Sequence, residues 1–390
     1  MAKREKKENL FDYNLIFVIL FISLFGLVMI YSASFFTAQL KFQDSLYFVK
    51  RQAAYLVLGV AAMVFMAFFK YQWITKLWGL GWLLSLGLMI ATNFTPLGVE
   101  RNGSKRWIGI GGRPLFQSAE IVKIALIVVM AVLCTKMMRY LSKRRARIVI
   151  YFFTIPLFVL VAMNNLSSGI IIAGIVASMY FISCRDRKMF LFVAAAVIAV
   201  YIFARFFTDQ FVSLGLLSEY RLKRILVWTH PEAFPKEGGY QVLQGLYAVG
   251  SGGFLGKGLG RSAQKFFLPE SQNDMIFAII CEELGLFGAV CLILIFLFLL
   301  YRMVLIAYNA PDYTGSMLVT GIMSQIAIQL FLNIAVVTGF FPNTGVSLPF
   351  VSYGGTSLLF LMVEMGIVLN VSRQITFEDA GAAVPDGSKS

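Results

Sequence analysis

The sequence predicts an all-α polytopic membrane protein of about ten transmembrane helices, with a large extracytoplasmic loop between the seventh and the eighth. Three observations predict it. The 390 residues are 59% hydrophobic and only 14% charged, with a mean hydropathy of +0.78, where a soluble domain carries about 25% charged residues. Apolar runs long enough to cross ~30 Å of hydrocarbon recur along the chain. Lys and Arg outnumber Asp and Glu by 34 to 20, giving +14, and they crowd the short segments of one side, as orientation in a bilayer requires. A cytosolic enzyme, a disordered chain and a disulfide-stapled secreted scaffold are excluded. The charge excess is explained by the membrane, so no nucleic-acid partner is expected.

Residues 1–13 form a basic segment, and the first apolar run spans about 15–30 and ends in Tyr31-Ser32-Ala33-Ser34. Its length, and the apolar segments that follow, predict an uncleaved signal anchor with the N-terminus in the cytoplasm. Further spans are expected at about 52–69, 77–93, 118–136, 148–164, 168–184, 189–206, 274–301, 315–338 and 354–371. An even number of spans puts both termini on the cytoplasmic side. A ten-helix membrane domain thus covers 14–372, including the outer loop 207–273, and the polar stretch 373–390 reads as a disordered cytoplasmic tail.

Basic residues also stand where orientation does not call for them. Arg101, Lys105, Arg106 and Arg113 lie in the outer loop 94–116, and Arg221, Lys257, Arg261 and Lys265 are among those of the long outer loop. Two readings stay open: an anion to be met, or ordinary loop salt bridges and lipid headgroups. The glycines of the long loop do not make a nucleotide-binding loop, because Walker A would need Gly at Ser251 and a hydroxyl at Gly258, and GxGxxG spacing is absent. They imply a backbone that turns sharply and approaches other groups closely. A single histidine, His230, argues against a His-rich metal site or a Ser-His-Asp triad, and the four cysteines have no CxxC spacing.

Carboxylates at membrane depth are expensive and mark function by default. Asp274 opens the eighth span, where it either caps the helix or acts as a base. Backbone N–H bonds would lower its pKa and desolvation would raise it, so sequence leaves the outcome open. Glu282 and Glu283 follow in the same span. On an unbroken helix Glu282 lies ~80° from Asp274 and ~12 Å deeper, making it the better companion of the two. Glu120 and Lys123, spaced i,i+3, either neutralise each other or share a polar cavity, and Glu364 is a further buried acid. Residues 339–357 contain Pro342, Pro349, Gly345, Gly354 and Gly355 with several hydroxyls, so regular helix throughout is excluded. Irregular backbone at that depth lines a site or is buried in protein.

These residues resemble the shape, elongation, division and sporulation family of bacterial membrane proteins, the FtsW, RodA and SpoVE group. The resemblance spans about 12–373 and rests on Tyr31-Ser32-Ala33-Ser34, Gly103-Ser104-Lys105-Arg106-Trp107-Ile108, Gly239-Tyr240-Gln241, Leu259 to Lys265, Leu268-Pro269-Glu270 with Asp274, Glu282-Glu283-Leu284-Gly285, and Leu348-Pro349-Phe350 with Ser352-Tyr353-Gly354-Gly355. The run before Leu268 is closer to the FtsW and SpoVE branch than to RodA. Departures include Asn273 and Met275 beside the acid, Ser118-Ala119 before Glu120, and Asn165 where the family often has Asp.

The resemblance implies peptidoglycan glycosyltransferase activity at the outer face of the bacterial cytoplasmic membrane, polymerising lipid II and releasing undecaprenyl diphosphate in septal or other wall synthesis. A lipid II flippase is the alternative. Implied partners are a class B penicillin-binding protein and divisome proteins. Asp274 matches the family's loop acid and is expected to be the catalytic base. Arg106, Lys123, Arg221 and Lys265 are expected to meet the diphosphate or substrate, and a divalent cation, Mg2+ or Mn2+, can share that task. Glu120, Tyr240, Gln241, Glu270, Glu282, Ser352 and Tyr353 complete the expected substrate-binding set.

Overall fold

A computed structural model describes residues 11–101, 104–141, 143–184, 202, 224 and 226–375. The helices are α1 (Tyr13–Phe42), α2 (Tyr47–Phe68), α3 (Tyr71–Lys76), α4 (Trp78–Phe94), α5 (Ser118–Lys136), α6 (Arg144–Asn164), α7 (Leu166–Ser183), α8 (Gly239–Ser251), α9 (Ile276–Tyr308), α10 (Tyr313–Val337) and α11 (Gly355–Arg373). Among the described residues eight helices are long and apolar enough to cross a membrane, and α4 is a shorter apolar ninth. The protein is a multi-pass membrane protein whose described spans are helical. The span expected at 189–206 lies almost wholly outside the described residues, as do Arg221, the first ten residues and the segment from 376 onward.

The apolar runs set the spans, but local chemistry sets their ends. Asp12 caps α1, accepting from Leu15 N at 3.0 Å, and it also binds Arg302 of α9 at 2.7 Å. The helix does not stop at the small polar residues after Ile30. Ser34 donates its hydroxyl to Ile30 O at 2.6 Å, so the polar side chain satisfies itself against the preceding turn and α1 continues for 30 residues.

Three strands fill most of the expected loop 94–116. They are β1 (Gly98–Arg101), β2 (Ser104–Ile110) and β3 (Arg113–Gln117), antiparallel in the order β1-β2-β3, with Trp107 paired to both Val99 and Gln117. Gly111 and Gly112, both at positive φ (60° and 77°), form the two-residue turn between β2 and β3. Such a turn matches the twist of the flanking strands, and it requires residues that tolerate positive φ.

The bundle is centred on α5 and α10. α10 touches α5, α7, α9 and α11; α2 packs along α11; α1 lies on α2 and α9; α4 and α6 flank α5. Lipid competes with apolar packing, so close fit and internal polar bonds hold such helices together. The buried Gln325, Gln329 and Asn333 of α10, four residues apart, present one polar face inside this apolar assembly.

α9 breaks at Gly285, whose φ of 68° and ψ of −169° lie outside helical space. The loop after α8 folds against the break. Lys257 N donates to Glu282 O at 3.0 Å and Gly258 N to Glu283 O at 2.9 Å. Leu286 N reaches Gly253 O at 2.9 Å and Phe287 N reaches Phe254 O at 3.0 Å. Backbone groups freed by the kink are thereby satisfied by protein, as irregular chain at membrane depth requires.

Candidate active site

The turn 268–275 carries Asp274 to the end of α9, and three elements hold it. Ser271 donates its hydroxyl to Ala33 O of α1 at 3.1 Å, and Gln272 O accepts from Tyr353 N at 2.9 Å. Asn333 of α10 donates its amide to Asp274 O and to Val346 O, each at 2.8 Å. Glu270 takes positive φ (55°) at the surface and bonds the Asn273 amide.

Asp274 does not cap the helix. The capping position is Met275 and it has no side-chain cap bond, while Asp274 Oδ1 is enclosed and finds no hydrogen-bond partner among the described residues. Desolvation therefore wins the contest that the sequence left open. Burial, with the negative charge of Glu270 adding to it, pushes the Asp274 carboxyl from 3.8 up to about 7, against the opposing backbone bonds. Gly345, at φ 67°, faces the carboxylate: a Cβ there would stand 3.7 Å from Oδ2, in ordinary contact.

The irregular segment between α10 and α11 frames this space. Trp228 Nε1 donates to Gly339 O at 2.8 Å, and Asn343 donates its amide to Gln241 Oε1 at 2.9 Å. Gln241 Nε2 reaches Pro269 O at 3.4 Å, so Gln241 ties α8 to both walls. Ser352 Oγ accepts from Leu348 N at 2.8 Å, and Gln52 of α2 clamps Ser352 O and Gly354 N, each at 3.2 Å. Tyr353 packs its ring edge-on to Phe48 at 5.0 Å. The sequence pointed to Gln241, Ser352 and Tyr353 but not to Gln52 or Asn333, whose partners lie in distant segments.

Glu282 is not the companion of Asp274. The angular argument assumed one straight helix through both residues, but Asp274 sits in a turn before α9, which begins only at Ile276. Glu282 turns to the long loop, where it accepts from Lys257 Nζ at 2.7 Å, from Ala263 N and Gln264 N at 3.1 and 3.2 Å, and from the Ser262 hydroxyl. Glu283 accepts from Ser32 at 2.6 Å and lies 3.6 Å from Lys265 Nζ. Lys265 is itself buried. Its ammonium donates to Gly260 O at 2.6 Å and stands 4.7 Å from the Phe35 ring centre, so it binds the loop in place instead of facing outward.

Lys123 and Glu120 pair at 2.8 Å and both are buried. Glu364 accepts two bonds from Gln325 at 2.8 and 3.0 Å, and the charges of Lys123 and Glu120 act on it. α5, α10 and α11 thus share one polar cluster inside the bundle. Arg106, on β2, donates Nε to Asn164 O at 3.2 Å, and Asn164 bonds Asn93 at 2.6 Å. Tyr240 is partly exposed on α8.

A sequence model of the family described as FTSW_RODA_SPOVE, Cell cycle protein, matches residues 12–376. The chain is 40% identical over 367 residues to Stage V sporulation protein E of Bacillus subtilis, covering 93% of this chain and 97% of that one. It is 37% identical over 371 residues to Probable peptidoglycan glycosyltransferase FtsW of Geobacter metallireducens, covering 93% and 95%. Among solved structures it resembles a chain of a peptidoglycan synthase complex that coordinates polymerization and crosslinking, with TM-score 0.74, 22% identity and coverage of 93% and 98%. It also resembles the rod shape determining protein RodA of Thermus thermophilus, with TM-score 0.67, 21% identity and coverage of 94% and 98%.

Proposed function

The chain belongs to the FtsW, RodA and SpoVE family, and from that premise we propose that it is a peptidoglycan glycosyltransferase polymerising lipid II at the outer face of the bacterial cytoplasmic membrane, with both termini cytoplasmic. One observation carries the chemical assignment: among the described residues, the enclosed Oδ1 of Asp274 has no hydrogen-bond partner, while its Oδ2 faces the exposed Gly345. Asp274 takes the proton from the acceptor sugar's hydroxyl as that oxygen attacks the anomeric carbon of the donor. The bond from that carbon to the diphosphate breaks, and undecaprenyl diphosphate leaves with the electron pair. A base poised near neutrality combines a useful ionised fraction with real driving force for proton transfer.

Arg106 at the sheet and Arg221 are the cations we assign to the diphosphate, with Tyr240, Gln241, Glu270, Ser352 and Tyr353 around the sugar. We assign the Glu120 and Lys123 pair, buried and joined at 2.8 Å, to the substrate-binding set as well. Glu282 and Lys265 serve by fixing the loop, since their polar atoms are engaged by the chain itself. Among the described residues no group of three His, Cys, Asp or Glu offers a metal cage. We therefore place Mg2+ or Mn2+ with the incoming diphosphate, which commonly brings its own cation to one or two carboxylates, and route no step through it. A class B penicillin-binding protein and divisome proteins are the proposed partners.

The rival class is a flippase, for which a broken helix and buried acids are also suitable apparatus. Here the break at Gly285 is filled by the chain's own loop, and the carboxylate with a free oxygen lies at the end of α9, which favours chemistry over carriage. The test is purified protein with its transpeptidase partner in detergent and lipid II. Detergent removes sidedness, so glycan strands formed there establish polymerisation. Lipid crossing leaflets of sealed vesicles, with no strands in detergent, would establish the flippase.

A further inference from the structure

Asn333 is fully buried in an apolar span, four residues from the end of α10. An amide there is costly unless it is bonded. Its Nδ2 donates to two carbonyls from different parts of the chain, Asp274 O and Val346 O, at 2.8 Å each. The first of these lies outside the helix ladder of α9, because Ala278 N turns to Met275 O at 3.0 Å. The second belongs to the segment that contributes Gly345. One amide therefore joins the carboxylate-bearing turn to the segment that faces the carboxylate through Gly345. Ser271 and Gln272 anchor the same turn, but to groups at its earlier residues.

We propose that Asn333 is the positioning residue of the transfer reaction, fixing the distance between the Asp274 turn and the 343–347 wall so that the carboxylate meets the acceptor hydroxyl. The inference rests on the reading of Asp274 as base. Its effect on Asp274 is separable from other charges. Glu270, on the same turn, acts on the carboxyl directly. α10 carries no ionisable residue besides Tyr313, residues 338–354 contribute only Tyr353, α8 contributes Tyr240 and Tyr247, and the stretch of α1 beside the turn contributes Tyr31. Loosening the amide tie lets water reach the carboxylate without changing any of these groups.

The experiment compares Asn333→Ala and Asn333→Ser with the parent, in complex with the partner transpeptidase in detergent, measuring kcat, KM and the pH profile of kcat with lipid II. Both replacements are smaller than Asn, so whichever gives the parental elution profile is read. The expected result is a fall in kcat of roughly 10- to 100-fold, as small misplacements of a reacting group produce, with KM within about threefold. The acid limb is expected to move down by about one pH unit as the carboxyl is rehydrated. A parental kcat overturns the proposal, as does a reduced kcat with an unmoved acid limb. Loss of the folded complex in both variants also overturns it, since Asn333 would then be a folding residue. Asp274→Asn, run alongside, separates the two claims: if that variant is fully active the assignment of the base fails, and if it is inactive while the Asn333 variants match the parent only the positioning role fails.

Discussion

Asp274 holds a carboxyl whose environment resists ionisation, and this should be visible in stability as well as in rate. A rise from 3.8 in an exposed chain to about 7 in the fold corresponds to at most about 4 kcal/mol, at about 1.4 kcal/mol per pH unit. Between these two pH values the folded protein holds a proton that the unfolded chain has released. Stability therefore falls as pH rises from about 4 to about 7, and the full penalty stands above 7. Asp274→Asn removes the titration. At pH 8 the variant should unfold at a higher temperature than the parent, by an amount equivalent to several kcal/mol, and this gain should shrink steadily as pH falls, to nothing below about pH 4. The assay is thermal unfolding in detergent across that range. The parent's rate should in turn fall about tenfold per pH unit below about 7, as the ionised fraction falls. A stability difference that is the same at pH 5 and pH 8 would refute the reasoning, because it would mean that Asp274 ionises in the fold as easily as in water.

The loop clamp and the helix break give two further expectations. Glu282→Gln replaces an oxygen surrounded by donors with another donor, and should destabilise by about 2–3 kcal/mol, since Lys257 is partly solvated and a charge-assisted bond is worth about 1.5–3; faster proteolysis within residues 252–265 and a lower unfolding temperature report it. Gly285→Ala forces a side chain into a conformation reserved for glycine, with its Cβ against Gly256 N and Phe254 O. It should cost about 3 kcal/mol or more, read as loss of the monodisperse species on detergent elution.

The spans were legible because a bilayer imposes a length and a composition that few other environments demand. Their ends were less so. The seryl residues after Ile30 look like a stop in sequence, yet Ser34 bonds the turn beneath it and Ser32 bonds Glu283 of α9, so α1 runs on to Phe42. The sheet had a signal, Gly111-Gly112 between short alternating runs, which was hidden behind the unexplained cations of the same loop. Glu282 was assigned to the wrong neighbour because helical angles hold only inside a helix, and Asp274 lies in the turn before α9 begins at Ile276. Lys265 looks in sequence like a cation awaiting an anion; only the fold shows Glu283 and Gly260 already around it. The turn that carries Asp274 was readable from its motif, whereas the tie from Asn333 crosses from α10 and leaves no mark in either segment beyond one polar residue in an apolar run.

The central claim is that the carboxylate of Asp274 removes the acceptor's proton. Its most direct measurement is the rate of glycan strand synthesis from lipid II by the purified Asp274→Asn complex at pH 7.5, beside the parent. Removing a general base should lower kcat by roughly 10²- to 10⁴-fold while lipid II still binds within a few-fold of the parental affinity. Strand synthesis at the parental rate by a correctly folded variant would contradict the account.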